Sequence, residues 1–330
     1  MRKTAIYFGF ALSAVLLWLV VRKIDLPRMV ETVRTIKWWY FVLSLVFFLF
    51  TIYSRALRWR YLLATKPPIP VPALFSATSI GLLINNVLPI RMGDIARAYL
   101  IGKKAAVSGI TAFATLAVER IMDILCLLSI LAFYLLFSAG GQVQVAHRQL
   151  GALGLTFLVV LTAGILGVYL AYVYHRPLEN LLHLAFGRRF PRLAEKMLDL
   201  FSKTLAGFTA VRDAHQLLRV ILFTFCLWLA GATSYFYLME AFSFPLRFTS
   251  GLLVLVFVTF GVAFPSAPGY VGTFHAFCIL GLSVAGLQNY TQAASYAFTL
   301  HAMEWTSSTA LGTYFLWREG LSFKAIRAHA

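Results

Sequence analysis

Asn85-Asn86-Val87-Leu88-Pro89-Ile90-Arg91-Met92-Gly93-Asp94 cuts an apolar run over 72–101, and Phe264-Pro265-Ser266-Ala267-Pro268-Gly269-Tyr270-Val271-Gly272 cuts another over 250–286. Proline removes a backbone donor and clashes with the preceding turn, while glycine lets the chain reverse, so each run should break into two half-length helices. Broken backbone at membrane depth is tolerated only where protein or water covers it. Each run therefore reads as a re-entrant hairpin that enters and leaves on one side.

Six further apolar runs flank the breaks, at about 4–21, 38–57, 105–137, 151–173, 219–240 and 292–317. They are of the length that crosses a hydrocarbon core as helix. A chain of 330 residues that is 60% hydrophobic and 12% charged has too little polar surface for a soluble domain. Soluble enzymes, fibrous proteins and disordered tails are excluded. The reading is an all-α polytopic membrane protein with about six full crossings plus two re-entrant broken-helix hairpins. Each break is the third of four segments in its half, so with three crossings per half the second half is inverted relative to the first, a recurrent transporter plan. The expected divisions are a first half over 1–137, an outer loop over 138–150, a second half over 151–317 with a cytoplasmic amphipathic insert at 174–218, and a cytoplasmic tail over 318–330. The run after Arg2-Lys3 ends without a small-residue cleavage site and reads as a retained first helix.

Lys and Arg number 29 against 12 Asp and Glu, a net +17 that in a membrane chain points to topology and anionic headgroups, not to nucleic acid. Six crossings with both termini cytoplasmic, in the cell inner membrane, place nineteen Lys and Arg inside and seven outside. Five of those seven fall in 22–37, whose apolar residues recur at helical spacing as in an interfacial amphipathic helix. The basic 174–218 insert reads as two surface helices facing the anionic leaflet, or as a dock for a peripheral lipid-biosynthesis enzyme. Arg55, Arg58 and Arg60, interleaved with Trp59 and Tyr61, read as an interfacial anchor, with contact to a lipid headgroup as the alternative.

Ionisable residues inside spans cost about 2.5–3.5 kcal/mol each at a central position. Here they are Arg91, Asp94 and Arg97 at the first break, Glu119, Arg120 and Asp123 in the next segment, His275 after the second break, and His301 and Glu304 in the last. They suit a polar cavity between the halves. Arg91 and Arg97 would hold a phosphate, helped by backbone N–H groups where the helix restarts near Gly93. The restart after Pro268-Gly269 offers a second anion site. Glu119, Asp123, His301 and Glu304 would balance that charge, gate the cavity or carry protons. The competing reading closes Arg91 on Asp94, and Arg120 on Glu119 and Asp123, as ion pairs that only hold the broken helices together. No metal-site spacing, P-loop or GxSxG sequence is present, so no metal or cofactor is expected.

Asn86-x-x-Pro89-x-Arg91-x-Gly93-Asp94-x-x-Arg97, then Glu119-Arg120-x-x-Asp123, then Pro265-x-x-Pro268-Gly269-x-x-Gly272, in that order within roughly 40–317, resemble the transmembrane domain of lysylphosphatidylglycerol synthases and its stand-alone flippase-like relatives. Aspartate at position 94 stands where glutamate is more usual in that pattern. The resemblance implies lipid translocation without the aminoacyl transfer of the separate soluble domain, hence no enzyme activity. The cargo it implies is an anionic phospholipid, a polyprenyl-phosphate-linked lipid or a hopanoid. A membrane-embedded lipid-phosphate enzyme using Glu119, Asp123 and His301, and a scaffold for a peripheral enzyme, are the rival functions.

Overall fold

The computed structural model describes residues 2–88, 92–105, 107–137, 159 and 213–321. Every regular element among them is helical: α1 (Arg2–Val21), α2 (Leu26–Arg34), α3 (Trp38–Leu63), α4 (Val71–Val87), α5 (Met92–Lys104), α6 (Gly109–Phe137), α7 (Ala214–Ala241), α8 (Phe248–Gly261), α9 (Thr273–Val284) and α10 (Tyr290–Arg318), with a single 3-10 turn at Pro268–Tyr270. Both breaks fall where Pro and Gly place them. Pro89, Ile90 and Arg91, the 138–150 loop, most of the 151–173 run, 174–212 of the insert and the 322–330 tail lie outside the described residues.

By length and apolarity alone, α3 and α7 can each cross a membrane, and α1 with α2 forms one further bent candidate. α6 and α10 have 29 residues each, roughly 44 Å of helix, but carry the ionisable residues of the interior. The protein is a multi-pass membrane protein. α2 turns 84° away from α1 and has no buried residue, as an interfacial helix requires. Its start is set by Asp25, whose carboxylate accepts the Arg28 N–H, and by Pro27 in the first turn. The insert ends earlier than its predicted boundary. Asp213 caps α7 by accepting the His215 N–H, so 213–218 belong to that helix and its cap.

Between apolar helices in lipid, packing and polar contacts replace the hydrophobic drive. α3 and α7 run together along a seam where Ser234 Oγ donates to the Ser44 carbonyl at 2.8 Å, deep in the protein. α4 packs on α5 and α10, α8 on α9 and α6, α3 on α4 and α6, and α7 on α8 and α10. Two apolar cores result. One gathers Trp59, Leu74, Ile80 and Ile101 of the first half, and the other Leu227, Tyr235, Leu252, Leu282 and Leu300 of the second.

Candidate functional site

The two broken elements meet. In the first, the Gly93 N–H donates to Asn85 Oδ1 at 2.8 Å, and a Cβ on Gly93 would strike the Gly81 carbonyl, so α4 and α5 approach more closely than side chains allow. Asn86 Nδ2 reaches α10, donating to Ser308 Oγ at 2.9 Å and Thr309 Oγ1 at 3.0 Å. In the second, Gly269 adopts φ +69°, and a Cβ there would lie 2.9 Å from Trp305 Nε1 and 3.3 Å from the Asn86 carbonyl oxygen. The tips of both breaks and the middle of α10 thus share one junction.

Histidines close the second break. The Gly272 N–H donates to His275 Nδ1 at 3.3 Å, which leaves the His275 proton on Nε2 to donate to His301 Nδ1 at 3.2 Å. His301 Nε2 then donates to the Gly269 carbonyl at 2.8 Å. From the far end of the chain, α1 completes the turn: Ser13 Oγ accepts the Ala267 N–H at 2.8 Å, and Gly9 lies against Ser266. This corrects one expectation: His301 partners His275 and Gly269, not its face-mate Glu304. At the restart after Pro268-Gly269, the Gly272 N–H is engaged by His275. Glu304 faces the Tyr235 hydroxyl.

Opposite this junction, four arginines converge on one carboxylate. Glu119, fully buried on α6, receives Arg97 in a two-pronged pair at 3.1 and 3.2 Å, Arg58 at 3.1 Å, and Arg55 and Arg120 at 3.9 Å each. Arg58 also clamps Asp123 at 2.5 and 3.3 Å, and Trp228 Nε1 donates to the same carboxylate at 3.0 Å. The Arg97 guanidinium lies 3.9 Å from the centroid of the Trp59 ring. Arg120 reaches Asp94 at 3.4 Å and Asp123 at 3.5 Å.

One correction follows. Arg58 is no interfacial anchor: α3 carries it into the protein interior, 0% exposed, beside a buried Trp59. Removing Arg55 and Arg58 from the cytoplasmic tally lowers it from nineteen to seventeen against seven, which keeps the asymmetry. Arg97, expected to hold a phosphate, is paired with Glu119 and stacked on Trp59, with its Nε unbonded among the described residues. Arg120 meets Glu119 and Asp123 as the ion-pair reading expects, and reaches Asp94 besides. Arg91, the other expected phosphate ligand, lies outside the described residues.

Between the arginine cluster and the α10 junction is a cavity of about 240 Å³. Arg55, Asp94, Arg97 and Arg120 line it from the first half, and Tyr235, His301 and Glu304 from the second. Sequence reasoning missed Arg55, Arg58, Asn85 and Tyr235. For Arg58 the available signal was the i, i+3 spacing from Arg55, which puts both on one face of α3.

No solved structure matches the chain. A stretch of 88 residues, 26% of the chain, is 30% identical to the UPF0104 membrane protein MJ1078 of Methanocaldococcus jannaschii and covers 38% of that relative, well under half its length. The family described as the lysylphosphatidylglycerol synthase TM region matches residues 6–312, and the chain belongs to that family.

Proposed function

We propose that this protein moves an amphipathic lipid between the leaflets of the cell inner membrane, the headgroup passing through the cavity while the chains remain in the bilayer. The observation that carries the reading is the cavity itself: an ion-lined space inside an apolar helical bundle, where two broken helices meet and both halves supply walls. The contact pattern supports an inverted repeat. Exchanging α3 with α7, α4 with α8, α5 with α9 and α6 with α10 turns α4–α10 into α8–α6, α3–α6 into α7–α10, and α6–α7 into α10–α3, all of which are packed pairs. Six crossings with both termini cytoplasmic fit that arrangement.

Translocation is favoured over lipid-phosphate chemistry because Glu119 and Asp123, the carboxylates such an enzyme would use as acid and base, are held by Arg58 and Arg97. The cargo is an anionic phospholipid or an isoprenoid-type lipid whose polar end fits the cavity. Vesicles containing the purified protein and a trace of fluorescent phosphatidylglycerol or polyprenyl phosphate test this, with a membrane-impermeant quencher reading lipid that reaches the outer leaflet. Protein-dependent exposure of one of the two is expected, abolished by Gly269→Leu, which fills the junction. Exposure no faster than in empty vesicles for both lipids would sink the proposal.

A further inference from the structure

The four guanidiniums around Glu119 are not equally engaged. Arg58 and Arg97 each hold a carboxylate through two nitrogens, and their side chains are 0% and 3% exposed. Arg55 has one ionic contact, at 3.9 Å, makes no hydrogen bond to a described residue, and lines the cavity. Arg120 spreads across three carboxylates at 3.4–3.9 Å, each held less closely than the pairs of Arg58 and Arg97, and lines the same cavity.

Charge counting sharpens the contrast. Among the described residues, Arg55, Arg58, Arg97 and Arg120 face Asp94, Glu119 and Asp123, four cations against three anions on this wall, with Glu304 across the cavity. A guanidinium with only long ionic contacts gains from an anion that supplies acceptors. Two neutral groups on the same cavity also lack partners. Thr78 is 1% exposed with an unbonded hydroxyl, and the Asn85 amide nitrogen is unbonded to described residues while its Oδ1 accepts the Gly93 N–H.

We propose that Arg55 and Arg120, with Thr78 and Asn85 as neutral donors, form the binding site for a phosphodiester monoanion, the headgroup phosphate of the transported lipid; this rests on the translocation reading above. A single negative charge balances the wall, and guanidinium forks match phosphate oxygens. Arg58 and Arg97, the latter at the cavity wall, are positioning residues, which hold α3, α5 and α6 around Glu119 and leave Arg55 and Arg120 to meet an anion.

The test is titration of the purified full chain, in a neutral maltoside detergent, with dioctanoyl phosphatidylglycerol, read by native mass spectrometry. A parallel arm uses glycerophosphoglycerol, the same phosphodiester without chains. Saturable binding of the short-chain lipid is expected, weakened about tenfold or more by Arg55→Gln and partly restored by Arg55→Lys, as loss of a charge-assisted hydrogen bond predicts. Arg55→Gln should melt like the wild type, since it breaks only the 3.9 Å contact. Glycerophosphoglycerol binding with the same Arg55 dependence supports the site and assigns it a soluble source as well; binding of the lipid alone supports it with the lipid as source. Wild-type affinity in a folded Arg55→Gln protein, or no saturable binding to the wild type in either arm, overturns it. Binding is read without transport, so a protein that binds but does not translocate sinks only the translocation reading.

Discussion

Glu119 has no exposed surface, yet it is the residue on which the site depends. Its carboxylate draws four guanidiniums to within 4 Å. Glu119→Gln removes the charge and leaves Arg97 buried with a neutral partner, while Arg58 keeps Asp123, and is expected to cost about 3–5 kcal/mol. Thermal unfolding in detergent reads this as a large drop in melting temperature, and an unchanged melt would contradict the hub role. Part of the cluster is legible from the chain alone, because Glu119 and Asp123 are four apart on one helix face inside an apolar run, where charge has to have a reason. The spacing of Arg58 from Arg55 marks a shared face, but which surroundings that face meets was illegible for a physical cause. Arginines interleaved with Trp59 and Tyr61 near a helix end have the same composition whether that end lies among headgroups or against another helix, and only the packing of α3 on α6 and α7 decides.

The hairpins were legible as elements, since Pro89, Gly93, Pro265 and Pro268 interrupt apolar runs where exposed backbone is intolerable. Their closure is more specific than the breaks themselves. Gly93→Ala places a methyl group against the Gly81 carbonyl, and overpacking of this kind is expected to cost about 1–3 kcal/mol or more, seen as loss of monodisperse protein on size-exclusion chromatography. His301→Ala removes both ends of the histidine link, worth about 1 kcal/mol per hydrogen bond. Amide hydrogen exchange over 264–272 should then accelerate several-fold while α3 and α7 keep their protection. Equal exchange in wild type and variant would show that the link does not hold the turn. The base of the first hairpin is tied as well: Glu319, at the end of α10, accepts from Ser76 on α4 and from Lys104 on α5.

Across the assembled protein, the two halves interlock because each hairpin packs on the long helix that follows the other one, α4 on α10 and α8 on α6. In a chain lacking Cys126, Cys226 and Cys278, a cysteine at Arg28 should react with a membrane-impermeant maleimide in intact cells, and one at Lys103 only after permeabilisation. The opposite pattern would reverse the assigned sidedness, and labelling of both in intact cells would break the inverted arrangement. The ordinal match of the two breaks pointed to such halves, but the contact of Ser13 with Ala267 joins positions 254 residues apart, and no local pattern announces it. That contact also has a consequence in time. α1 leaves the ribosome some 254 residues ahead of the turn it completes. Until that turn is made α1 stays without its seat, and the second hairpin can be finished only when a helix made long before is recruited back to it.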